Sequence, residues 1–169
     1  MYSLNAPVPA PVARLAGDLA GDLPSAQPRE RGEHTLLVKR LGQGRDETVD
    51  HLVSGAREAL AGAAPVEARV TGVDCFADPV TGTGPVVYLA VESPGLVALH
   101  RDLCEAFEPV PHLEGDAYVP HVTVARGGTL EAARRLCERE VDVHPFVVDE
   151  LAVWDARHGV AAARFSLPP

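Results

Sequence analysis

The sequence predicts an α+β fold of two pseudo-symmetric lobes, each a strand-helix-strand-helix-strand unit, set around a central cleft. Three observations predict it. Strand-like and helical hydrophobic periods follow one another in the same order twice, over roughly residues 1–77 and again over 85–167. Two of the strand-like runs, "EHTLLVKRLG" from Glu33 and "PHVTVARGG" from Pro120, carry a histidine at or next to their start, and the two histidines stand 87 positions apart. The 169 residues, 46% hydrophobic but only 5% aromatic, suffice for one compact unit with a core of Val, Leu and Ala. Residues 1–169 are accordingly read as a single bilobal domain.

The elements follow in order. Residues 1–8 read as a strand, and 9–23 as a helix with Val12, Leu15, Leu19 and Leu23 along one face. "LPSAQPRERG" reads as a loop. His34 to Leu41 is a strand, and 47–61 a helix with Val49, Leu52, Val53, Ala56 and Leu60 inward and Gly62 as its stop. Strands near 66–77 and 85–92 flank the turn-rich "DPVTGTGP". Ser93-Pro94 is an N-cap and first helical position, and Leu96, Leu99, Leu103 and Phe107 mark the stripe of that helix. After "EPVPHLEGD" come a strand at 117–125, a helix capped by Thr129 that runs to about 140, and a closing hairpin of 145–155 with 160–167 that turns at "RHG".

Bulk composition narrows the function classes. No apolar run is long enough to span a membrane, and the opening residues lack the basic and apolar blocks of a signal peptide. The reading expects a cytoplasmic monomer with no membrane partner. Cys75, Cys104 and Cys137 show no metal-ligand spacing and read as free thiols, so neither a metal nor a cofactor is expected. A net charge of −9 disfavours nonspecific binding along a phosphate backbone. A nucleic-acid partner would be engaged locally, at an end or a single phosphate.

Side chains alternate along a strand, so His121, Thr123 and Ala125 share one face. Pseudo-symmetry would set His34 opposite His121. Two imidazoles about one phosphate suit an in-line displacement at phosphorus: one takes a proton from water, the other gives one to the leaving oxygen, and a pKa near 6.5 serves both roles. A threonine hydroxyl two residues on can hold a nonbridging oxygen.

These residues resemble the two-histidine (2H) phosphoesterase superfamily, in its 2′-5′ RNA ligase-like, RNA 2′,3′-cyclic phosphodiesterase branch, which carries a His-x-Thr-x motif in each of two lobes. "PHVTVAR" is similar to the second motif, and "VVYLAVESPGLVALHRDLCEAF" to the strand and helix before it. The resemblance implies metal-independent opening of a 2′,3′-cyclic phosphate at an RNA 3′ end to a 2′-phosphate, with 2′-5′ ligation as a related activity. It also implies His34 and His121 as acid and base, and Thr123 and Arg126 as phosphate contacts.

The first motif departs from this pattern. A regular strand puts His34, Leu36, Val38 and Arg40 on one face and sends Thr35 to the other, so that the second hydroxyl is lost; this is the preferred reading. Alternatively, "HTLLVKRLG" holds one extra residue, absorbed as a β-bulge that brings Thr35 to the phosphate. Around it, Arg29, Arg31, Lys39, Arg40 and Arg45 form a basic region that reads equally as an RNA-end contact and as a solvated rim. Tyr118 reads as packing. His51, His100, His112, His144 and His158 read as surface or cap residues. Two other functions compete with RNA-end hydrolysis: an RNA-end or nucleotide-binding protein with a degenerate first motif, and a phosphodiesterase acting on a small cyclic nucleotide-like ester.

Overall fold

A computed structural model describes residues 1–29, 33–42 and 48–168. Its strands are β1 (Tyr2–Pro7), β2 (Ala26–Pro28), β3 (Thr35–Arg40), β4 (Val66–Phe76), β5 (Val86–Glu92), β6 (His121–Gly127), β7 (His144–Val148), β8 (Glu150–Asp155) and β9 (Val160–Ser166). Its helices are α1 (Ala10–Ala20), α2 (Val49–Ala59), α3 (Pro94–Ala106) and α4 (Leu130–Cys137). This is the expected α+β class. No described helix is long and apolar enough to cross a membrane.

The strands form one nine-stranded sheet in the order β7-β4-β5-β6-β3-β1-β8-β9, with β2 paired to β6. The order is matched on either side of the β6–β3 seam, where the described residues share a single paired position, Leu36 opposite Val122. So thin a seam leaves room for a cleft. The halves are not contiguous in sequence: β4 follows α2 yet pairs with β5, and β8 follows β7 yet pairs with β1.

Local sequence accounts for the helices. The hydroxyls of Thr48, Ser93 and Thr129 accept the amides of His51, Leu96 and Ala132 at 3.3, 3.1 and 3.2 Å, capping α2, α3 and α4. Their apolar stripes are buried: Val12, Ala16 and Leu19 on α1, Leu52 and Ala56 on α2, Leu96, Leu99 and Leu103 on α3, and Ala133 and Leu136 on α4. They join Leu4, Ala6, Leu36, Val38, Val122 and Val124 in the core. Alternation sends Asn5, Thr35, Leu37, His121 and Thr123 to the other face.

Three expectations are corrected. The loop 23–32 contains β2, held by its register against Ala125–Gly127. The strand expected from 117 starts at His121, because Gly115–Ala117 forms a 3-10 turn in which the Tyr118 amide donates to the Gly115 carbonyl. The run expected as one strand at 145–155 is two: β7 pairs with β4 at one end of the sheet, and β8 with β1 and β9 near the other. An unbroken apolar run carries no mark of where the chain changes partners. Asp149, between them, accepts the Leu167 amide at 2.7 Å.

Candidate active site

A cleft of about 210 Å³ opens at the seam. Strand β6 contributes His121, Thr123 and Arg126, and β3 contributes Thr35, Leu37 and Arg40. Asn5, Arg29, Phe76, His112 and Tyr118 complete much of the wall. A larger, shallower groove of about 1090 Å³ beside β4, β5 and β7 holds no imidazole; its polar groups include Arg69, bonded to Glu92 at 2.6 Å.

On the β6 side, the geometry fixes one proton-transfer group. Nδ1 of His121 lies 2.7 Å from the Val119 carbonyl, which can only accept, so Nδ1 carries the proton and Nε2 keeps a lone pair. The ring is held by Phe76, edge-on at 5.3 Å between centroids, and by Tyr88 at 5.1 Å. Burial chiefly, and then the guanidiniums of Arg126, Arg40 and Arg29, push its pKa below the usual histidine value, against the Val119 bond, which acts to raise it. The free ring is therefore neutral at neutral pH and able to accept a proton. Burial and the nearby Arg29 and Arg40 also lower the pKa of Arg126, which remains a cation. Arg29 lies 3.9 Å from Glu33 and Arg40 3.5 Å from Glu114, so their charges are partly offset while both still act on Arg126.

The β3 side differs from the expected facing pair of imidazoles. Thr35 lines the cleft, and its hydroxyl accepts the Asn5 amide at 3.0 Å, leaving its own proton to donate. Leu36 turns to the core. His34 is not among the lining residues: it precedes β3, is 8% exposed, and has a buried Nε2 with no partner among the described residues. Burial first, and then Arg29, lower its pKa, with Glu33 acting to raise it. Asn5 faces Leu37 and Leu4 faces Lys39, so Val38 is an extra residue, a bulge placed after Thr35 rather than at His34, and the alternation before it sets His34 off the cleft face that Thr35 takes. Beyond the bulge the faces swap, which buries Lys39 and returns Arg40 to the cleft.

This swap corrects the reading of Lys39 as an RNA contact. Lys39 is 0% exposed, and its ammonium donates to Glu114 at 2.6 Å and to the Arg40 and Glu108 carbonyls at 2.7 and 3.2 Å. Glu114 also accepts the amides of Arg40 and Val110 at 2.7 and 2.9 Å. Burial would push this carboxyl up, but Lys39 and the two amides outweigh it and hold the pKa below its usual range.

His100, expected at the surface, is 0% exposed. The Gly115 amide donates to its Nε2 at 2.9 Å, so its Nδ1–H donates to the Val38 carbonyl at 2.7 Å. Tyr118 stacks on it at 3.9 Å and donates to the Leu37 carbonyl at 2.9 Å, so it both packs and lines the cleft. Together these contacts pin segment 108–118 to β3. That segment presents His112, at φ 64°, to the cleft, where the sequence carried no pattern to place it. Arg31 and Arg45 lie outside the described residues.

The two-halved antiparallel sheet with a His-x-Thr strand at its seam matches, on the β6 side of the cleft, the layout expected of the 2H phosphoesterase class. The family profile described as the 2′-5′ RNA ligase superfamily matches residues 38–159, and the chain belongs to that superfamily. The match includes His121, Thr123 and Arg126 and starts after Thr35. TT0787 of Thermus thermophilus shares the fold with a TM-score of 0.70 at 19% identity, over 98% of this chain and 97% of that one. Escherichia coli LigT complexed with NADP+ has a TM-score of 0.68 at 14% identity, over 99% and 97%. LigT complexed with 3′-AMP has 0.62 at 17%, over 99% and 98%. No curated protein sequence matches.

Proposed function

We propose that the protein is a phosphodiesterase that opens the 2′,3′-cyclic phosphate at an RNA 3′ end to a 2′-phosphate, with His121 as the proton-transfer residue. One observation carries this reading: His121, with Nδ1 held on the Val119 carbonyl and Nε2 left as a base, lines the cleft beside Thr123, with Arg126 in the same wall. The cyclic phosphodiester anion sits among Arg29, Arg40 and Arg126, and the hydroxyls of Thr123 and Thr35 donate to its nonbridging oxygens. Neutral His121 takes a proton from the attacking water as the new P–O bond forms. The bond from phosphorus to the 3′-oxygen breaks, that oxygen takes a proton from solvent, and His121 returns its proton to solvent afterwards. Because attack and departure are in line, one imidazole cannot contact both oxygens at once. The β3 side offers Thr35 instead, so turnover is slower than a facing histidine pair would give by about 10²- to 10⁴-fold.

The test is incubation with a short RNA ending in a 2′,3′-cyclic phosphate, with chelator present, followed by end-group analysis. A 2′-phosphate product from the wild type that disappears with His121→Ala supports the reading; equal rates in the two proteins overturn it. A second reading, an RNA-end or nucleotide-binding protein with little turnover, is favoured by the placement of His34 away from the cleft. Retention of the cyclic-phosphate RNA without product would establish it. The fold neighbour LigT is described in complexes with 3′-AMP, ATP and NADP+, which makes adenine nucleotides reasonable first probes.

A further inference from the structure

Cys75 and Cys137 stand 62 positions apart and show no ligand spacing, yet the fold brings them together. Helix α4 packs on β4, and its last residue is Cys137. One ligand atom from each of Asp74, Cys75 and Cys137 lies within 4.8 Å of the other two. Neighbours on a strand ordinarily point to opposite faces. Asp74 escapes this because its carboxylate curls along the strand, where Oδ1 accepts the Cys75 amide at 2.7 Å and Oδ2 accepts the Tyr88 hydroxyl at 3.3 Å.

We propose that Asp74, Cys75 and Cys137 form a binding site for a thiophilic divalent cation of the zinc class, tying α4 to β4 behind the cleft. The donor chemistry fits: two sulfurs and a carboxylate oxygen are zinc ligands, and a water completes a tetrahedron. Zinc–sulfur bonds of about 2.3 Å set two thiolates about 3.8 Å apart, so the present geometry needs an adjustment of only about 1 Å. The carbonyl end of α4 is a place where a helix favours positive charge. A divalent cation binds there by displacing two thiol protons to solvent, leaving two thiolates bound to the metal. The site also reaches the cleft wall, since Tyr88, bonded to Asp74, packs on His121.

The reduced protein is titrated with Co2+ and the near-ultraviolet thiolate-to-cobalt band is followed, with Zn2+ as competitor. One equivalent should bind and Zn2+ should bleach the band. Cys75→Ser and Cys137→Ser should each abolish it, Cys104→Ser should leave it intact, and Asp74→Asn should weaken binding at least about tenfold, since even outer-shell partners carry that much. Should a serine variant fail to fold, alkylation of the wild type gives the second reading: Zn2+ should shield Cys75 and Cys137 but not Cys104. A missing band, a band that survives either serine change, or equal alkylation with and without Zn2+ overturns the proposal.

Discussion

The two sides of the cleft use the same kind of strand to different ends. On β6, alternation holds from His121 to Thr123, a bulge at Val124 then returns Arg126 to the cleft, and a backbone carbonyl fixes the His121 ring so that Nδ1 carries the proton. β3 carries an equivalent bulge, at Val38, but there Thr35, Leu37 and Arg40 hold the cleft positions that His121, Thr123 and Arg126 hold on β6, and His34 stays behind. What β3 lacks in chemistry it holds in anchorage, through the buried Lys39–Glu114 pair and the His100–Tyr118 stack. A motif read along the chain gives residue identity, whereas the phase of the strand decides which of those residues face the cleft.

The sharpest test of this asymmetry is a pair of alanines. His121→Ala should lower kcat/KM for a cyclic-phosphate RNA by about 10²- to 10⁴-fold, and His34→Ala should change it by less than about threefold. Comparable losses would mean that the Glu33–Thr35 segment turns when substrate binds and brings His34 in. The next largest effect is on stability. Glu114→Gln leaves the Lys39 ammonium buried without its counter-charge and should destabilise the fold by about 3–5 kcal/mol, lowering Tm by about 10 °C in a chain of this size. If thermal melts show a shift of only a degree or two, the pair is not what anchors segment 108–118 to β3.

Much of this was legible in the sequence. Caps at Ser93 and Thr129 and the stripes on α1 and α3 were readable because local hydrogen bonding and a 3.6-residue period are written into neighbouring positions. His121 and Thr123 were readable for the same reason, since alternation holds between them and breaks only at Val124. The split of 145–155 into β7 and β8 was not, since strand partners are chosen by residues far away in the chain. Nor was the fate of Lys39: its burial requires both the bulge and a carboxylate 75 positions on. The cleft position of Thr35 was foreseen only as an alternative, because "HTLLVKRLG" does not say where its extra residue is absorbed.

That position makes the two threonines comparable. Thr123→Val and Thr35→Val should each remove a hydrogen bond to a charged phosphate, worth about 1.5–3 kcal/mol, or about 10- to 150-fold in kcat/KM. A loss confined to Thr123 would mean that the Asn5–Thr35 pair serves the structure alone. Asn5→Ala separates these cases: it frees the Thr35 hydroxyl from its only described partner, and should raise KM while leaving kcat nearly unchanged.

The smallest effect is electrostatic, and it distinguishes His121 from His34 without any turnover. Both rings have pKa values lowered chiefly by burial, as has His100. The folded state therefore binds fewer protons than the unfolded chain as pH falls below about 6.5. The contribution of these rings to stability is fully present above that pH and is lost as pH drops toward their folded values, so Tm should decline on acidification through that window. An anion in the cleft acts on one of them alone. Phosphate or 3′-AMP beside the Nε2 of His121 stabilises the imidazolium and should raise that pKa, with proton uptake on binding, while His34, outside the lining, should be unaffected by the anion. NMR titration of the ring Cε1–H signals, assigned with His121→Gln and His34→Gln, reads both in one sample. Were His34 to move with the ligand and His121 to stay, the imidazole that meets phosphate would be the one on β3, and the asymmetry would be reversed.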